Sequence, residues 1–131
     1  MDEAYAATQV KGILRTPDGG RSWQSLAVPV GNYAAAIAPD PFADGKVFFG
    51  YGAIESAPIV RFSTDHGDTY TEQALTLPPE HADKGAYVSA IAPDPSTQNR
   101  LLAGVCVDAH WPQVGPGLIY ASTDGGSTWL P

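Results

Sequence analysis

Three carboxylates in this sequence stand in near-identical surroundings, and their chemistry is the first question it raises. The segments are T-P-D-G-G-R-S-W from Thr16 to Trp23, S-T-D-H-G-D-T-Y from Ser63 to Tyr70, and S-T-D-G-G-S-T-W from Ser122 to Trp129. All obey [ST]-x-D-x-G-x-[ST]-[WY]. An active site needs one copy of a carboxylate, whereas a scaffold needs one per structural unit. Asp18, Asp65 and Asp124 are therefore expected to build turns. Asp accepts hydrogen bonds from turn N–H groups, Gly takes positive φ, and the flanking hydroxyls close the loop locally. The last aromatic of each box returns the chain to a strand. Trp23, Tyr70 and Trp129 are expected to pack in equivalent places.

Other chemistry-bearing residues are scattered. Cys106, the single cysteine, lies in the apolar run from Leu101 to Val107 and is expected to be a buried thiol, with nothing to orient His110 toward it. His66 sits in a box where the other copies have Gly. His81 and His110 belong to separate segments, with no close-spaced ligand pair, so no metal site is assigned. No glycine-rich phosphate loop follows a strand and opens a helix, so no cofactor is assigned either.

The elements that must position these residues follow from composition. Fourteen Gly and 12 Pro among 131 residues break the chain too often for long helices, which excludes bundles, coiled coils and Rossmann-like alternation. The content of 44% hydrophobic residues is that of a folded chain of one modest domain. A net charge of -7 with only seven Lys and Arg disfavours nucleic acid as a partner. No apolar run reaches the 18 residues of a membrane-spanning helix.

Repeats then organise the chain. The box aspartates at 18, 65 and 124 recur at intervals of 47 and 59 residues, and I-A-P-D-P occurs at Ile37–Pro41 and again at Ile91–Pro95. Two motifs alternating in the same order at about 50 residues indicate a tandem array of one supersecondary unit. Between the breakers, the first unit has strand candidates at Glu3–Thr8, Lys11–Thr16 and Ser22–Val28, with no counterpart of a first strand. The second has Tyr33–Ala38, Lys46–Tyr51, Pro58–Ser63 and Thr69–Leu75. The third has Tyr87–Ala92, Arg100–Val107, Gly117–Ser122 and a strand opening at Thr128. Four short antiparallel strands per repeat make a propeller blade. The expected fold is all-β: a partial β-propeller of nearly three four-stranded antiparallel blades, covering approximately residues 1–29, 30–77 and 78–131.

The boxes resemble Asp-boxes, also called BNR repeats. The run I-A-P-D-P-S-T-Q-N-R-L-L-A-G-V, followed by G-L-I-Y-A-S-T-D-G-G-S-T-W, resembles blades of the sialidase-like and sortilin-like propellers, and most closely those of the oligoxyloglucan and xyloglucan hydrolases. The resemblance implies that each box joins the third and fourth strands of a blade, away from the ligand face. It places Tyr51–Pro58, Pro78–Tyr87 and Asp108–Pro116 on that face. There Trp111 is either a platform for a sugar or peptide or an apolar cover for the blade edge. Glycosidase chemistry would need two carboxylates about 5–9.5 Å apart. Glu55, Glu80, Asp83 and Asp108 are the loop acids available, and no pair among them is singled out, so no catalytic residue is assigned. Arg15, Arg21, Arg61 and Arg100 do not reproduce the three-arginine carboxylate clamp of sialidases.

Two functions are compatible with this pattern. One is a non-catalytic scaffold or binding module for a glycan or protein. The other is a fragment or subunit of a glycoside hydrolase acting on β-glucan or xyloglucan-type substrates. Closed propellers have at least four blades, so either further blades in a longer chain or self-association is expected to complete the ring.

Overall fold

The computed structural model describes residues 2–8, 12–27, 36–53, 57–107 and 115–131. Ten strands run through them: β1 (Ala4–Thr8), β2 (Gly12–Thr16), β3 (Gln24–Ser25), β4 (Ala36–Pro39), β5 (Val47–Ala53), β6 (Ile59–Ser63), β7 (Thr71–Ala74), β8 (Ala86–Pro93), β9 (Leu101–Val107) and β10 (Gly117–Ser122). A single 3₁₀ turn at Pro79–His81 is the only helical element among the described residues. All strand pairings are antiparallel. The fold is a partial β-propeller.

The sheets reproduce the repeat. The first has the order β1-β2-β3, and the second runs β4-β5-β6-β7. The third is β8-β9-β10, with a single bridge from Ala121 to Leu130 where a fourth strand was expected from Thr128. The strand expected at Ser22–Val28 is also shorter, only Gln24–Ser25. In both cases the outermost strand has one neighbour in its sheet, so it has fewer ladder bonds to extend it. Residues 33–35 of the expected Tyr33–Ala38 strand lie outside the described residues.

Each sheet has two faces, because side chains alternate along a strand. On the second sheet, Val47, Phe49 and Tyr51 pack with Ile13 of β2. Phe48 and Val60 point the other way and pack with Val88, Leu101, Ala103, Val105 and Tyr120 of the third sheet. Full burial of each Val, Leu, Ile or Phe among them contributes about 1.5–3 kcal/mol. The core is therefore two layers, one between each pair of successive sheets. At the far end of β5, Gly52 and Ala53 pair with Tyr87 and Ala86 of β8. Gly52 is required there, since a Cβ would run into the Ala86 carbonyl and the Tyr87 backbone.

The I-A-P-D-P hairpins also match. Asp40 and Asp94 each accept a side-chain hydrogen bond, from the amides of Phe42 and Ser96, both at 2.8 Å. Their own amides donate to the carbonyls of Lys46 and Arg100 at 2.8 and 2.9 Å. Gly45 and Asn99 close the two hairpins with φ of 74° and 66°.

Candidate functional face

The boxes lie at one end of the strands and share one hydrogen-bond scheme. Each joins the third and fourth strand positions of its sheet: β2 to β3, β6 to β7, and β10 to Leu130. The opening hydroxyl of Thr16, Ser63 or Ser122 donates to the aspartate Oδ1 at 2.8, 2.7 and 2.9 Å. The same hydroxyl accepts the amide of Gly20, Gly67 or Gly126 at 2.9, 2.7 and 2.9 Å. Oδ1 also accepts the amide of Ser22, Thr69 or Thr128, each at 2.9 Å. Oδ2 accepts their hydroxyls, each at 2.6 Å. The second half of each turn has positive φ: 71° and 90° at Gly19 and Gly20, 62° and 94° at His66 and Gly67, and 73° and 94° at Gly125 and Gly126.

This wiring decides the chemistry of the three acids. The hydroxyl and amide donors of Ser22, Thr69 and Thr128, followed by those of Thr16, Ser63 and Ser122, hold the carboxyls of Asp18, Asp65 and Asp124 down to about 2. They are ionised at neutral pH, carry no proton to donate, and have their oxygens occupied. They are turn builders, as expected.

Each box is also tied to the backbone just ahead of β1, β5 or β9. The amides of Gly19, His66 and Gly125 donate to the carbonyls of Asp2, Gly45 and Asn99 at 2.7, 2.8 and 2.9 Å. In the second and third repeats the two repeated motifs thus lock onto each other. At one of these junctions His66 replaces Gly. Its Nδ1 lies 2.9–3.0 Å from both carboxylate oxygens of Glu3. Glu3 also accepts from the Tyr5 hydroxyl at 2.7 Å and pairs with Arg15 at 2.6 Å. Burial works against the Glu3 charge, but the donors His66, Tyr5 and Arg15 outweigh it and lower its pKa. Burial and the Glu3 charge raise Tyr5 in turn. The cluster staples the first sheet to the second, a role that the sequence pattern did not reveal.

The opposite end carries the candidate functional face. Strand directions place the ends of β5, β7 and β9 there. Glu80 and Asp83, in the segment after β7, are exposed. Asp83 has only a long 4.0 Å contact with Lys84. Glu55, Asp108, His110 and Trp111 lie outside the described residues. His81 ends the 3₁₀ turn. No group of three or more His, Cys, Asp or Glu able to hold a metal occurs among the described residues.

The remaining candidates are placed separately. Arg15 pairs with Glu3, Arg61 with Glu72 at 2.6 Å, and Arg100 with Asp94 at 3.7 Å. Arg21 is exposed within its box. The arginines therefore do not converge on one anion. Arg61 is buried, with its guanidinium 4.6 Å from the ring centre of Tyr51 and 5.2 Å from that of Tyr70. Cys106 corrects the expectation of a buried thiol. It is half-buried, because it shares the outward face of β9 with Leu102 and Gly104. Trp129 is partly buried against the core between the second and third sheets, and its Nε1 donates to the Gly126 carbonyl at 3.0 Å. Trp23 is 45% exposed. Its place in the repeat is the same, but among the described residues no sheet lies in front of it.

No protein-family model matches the chain, and no curated protein matches it. Solved structures do. A GH74 xyloglucanase from Xanthomonas campestris superposes with a TM-score of 0.71 and 26% identity over 100% of this chain. An ancestral GH74 enzyme superposes with a TM-score of 0.69 and 26% identity over 98% of it. The chain spans 19% and 16% of the lengths of those two proteins.

Proposed function

We propose that this chain is a blade-bearing segment of a glycoside hydrolase acting on xyloglucan-type β-glucans, and that its contribution is to bind the glycan. The observation that carries the reading is the superposition on the GH74 xyloglucanase along the whole chain. On this reading the three boxes are Asp-boxes. They hold the sheets from the end opposite the glycan. The segments after β5, β7 and β9 supply part of the groove wall, with Trp111 as a stacking platform. Indole faces suit the apolar faces of glucose rings.

Hydrolysis needs two carboxylates converging on one bond. In this reading the chain supplies at most one of them, from Glu55, Glu80, Asp83 or Asp108, and has no turnover alone. Affinity electrophoresis in gels containing xyloglucan, mixed-linkage β-glucan or no polysaccharide tests the proposal, together with a reducing-end assay. Retardation by xyloglucan, weakened by Trp111→Ala and without release of reducing ends, is expected. Equal mobility in all gels overturns the glycan assignment. Turnover abolished by Asp108→Asn or Glu80→Gln overturns the binding-only role.

A further inference from the structure

A charged side chain lies inside the seam between the first and second sheets. Arg61 stands opposite Phe49 of β5 and opposite Glu72 of β7, so all three share one face of the second sheet. Phe49 packs with Tyr51 and with Ile13 of β2, so that face is the one turned toward the first sheet. Arg61 is 4% and Tyr51 1% exposed. The guanidinium lies 4.6 Å from the ring centre of Tyr51 and 5.2 Å from that of Tyr70. A charge buried in this way is costly unless its donors are satisfied.

One edge of the guanidinium is satisfied and the other is not. Glu72 Oε2 accepts from Nε at 2.8 Å and lies 2.6 Å from Nη2. Nη1 lies on the opposite edge, buried and without a hydrogen-bond partner. The Tyr51 hydroxyl is buried without one as well, and no other side-chain polar atom among the described residues is in that state. Burial raises the Tyr51 phenol against the lowering effect of Arg61, so it keeps its proton. The two groups therefore present three hydrogens, two on Nη1 and one on Oη. The next seam shows what this position demands. Tyr120 stands two residues ahead of its box hydroxyl, Ser122, as Arg61 stands two ahead of Ser63. The buried Tyr120 hydroxyl donates across the seam to the Thr76 carbonyl at 2.8 Å.

Three donors and no acceptor select the chemistry of the partner. A water accepts two hydrogen bonds and then has two hydrogens of its own to place, beside the aromatic rings of Tyr51 and Tyr70. An anion accepts all three. The local field also favours it, because the Glu72 side chain is 46% exposed and that of Arg61 only 5%, so solvent screens the carboxylate more than the guanidinium. We propose that Arg61 Nη1 and Tyr51 Oη bind a small monovalent anion of the chloride class within the seam between the first and second sheets. The ion ties β5 to β6 where both face the first sheet, and so makes the stability of the seam depend on halide concentration. The site is separate from the glycan reading, which concerns strand ends and not the sheet interior.

Thermal unfolding of the 131-residue chain in sodium chloride and in sodium gluconate, at equal ionic strength, tests the proposal. Equal ionic strength holds constant the screening of the net charge of -7. The wild-type Tm is expected to rise by several degrees with chloride and to saturate, as binding to the folded state requires. Tyr51→Phe keeps the ring over Arg61 and removes one unpaired donor. It should be at least as stable as wild type in gluconate, since a buried unsatisfied hydroxyl is lost, and should lose most of the chloride response. Diffraction from crystals soaked in bromide locates the ion, with an anomalous peak expected in contact with Arg61 Nη1 and Tyr51 Oη. Equal Tm values in chloride and gluconate overturn the proposal. So does a Tyr51→Phe chain that responds to chloride as wild type does, or bromide that leaves no peak beside Arg61.

Discussion

Gly50 and Gly104 stand at the same position of two repeats, in extended backbone, and invite the same substitution with opposite results. Replacing glycine by alanine within a strand ordinarily gains about 0.5–1 kcal/mol from reduced chain entropy. At Gly104 nothing opposes that gain, because the nearest atoms to the new methyl are at ordinary contact distance, 3.5 Å or more. At Gly50 the methyl would lie 2.7 Å from Val88 Cγ1, and 3.0 Å from both Val88 Cβ and Ala36 Cβ. Val88 is fully buried and cannot swing aside. Overpacking of a filled core costs about 1–3 kcal/mol, and three such close contacts put the cost in the upper half, about 2–3 kcal/mol, which leaves Gly50→Ala destabilised by roughly 1–2.5 kcal/mol after the entropic gain. For a chain of this length that is a fall in Tm of about 4–9 °C, against a rise of about 2–4 °C for Gly104→Ala. Thermal and urea unfolding at low micromolar concentration, where the chain is expected to be monomeric, measure both. Equal shifts in the two variants, or a Gly50→Ala chain as stable as wild type, would refute the assignment of Gly50 to a packed inter-sheet face and Gly104 to an open one.

Two further outcomes follow from the same geometry. The folded-state pKa values of Asp18, Asp65 and Asp124 are depressed to about 2, against about 3.9 in an unfolded chain. Their stabilisation is therefore complete above about pH 4 and lost as pH falls toward 2, so an acid titration of Tm should drop across that window, and by less in Asp124→Asn. Tyr120 is buried and its hydroxyl donates to the Thr76 carbonyl at 2.8 Å. Tyr120→Phe should cost about 0.5–1.5 kcal/mol in urea unfolding, with no change in Cys106 reactivity.

Much of the fold was written locally, so it was legible in the sequence. A box works through hydrogen bonds among residues two and four apart, and its D-x-G core needs backbone that only certain residues adopt. Those constraints appear in the letters wherever the turn recurs, and they located β1, β2, β5, β6, β7, β8, β9 and β10 to within about two residues. The outer strands of the first and third repeats were harder because they have a single neighbour and their letters impose less. What the sequence could not show depends on which surfaces meet. His66 looked like a lapse in the box pattern. Only the approach of the first sheet, bringing Glu3 to 2.9 Å, gives the imidazole its partner. Cys106 sits in an apolar run that reads as core, yet its exposure depends on whether another sheet lies beyond β9. Trp23 and Trp129 occupy equivalent letters and differ in burial for the same reason. Alternation along a strand determines which side chains share a face, but a repeat has two such faces everywhere. Which of them is covered is set by the stacking of whole sheets, and that is a property of tertiary structure alone.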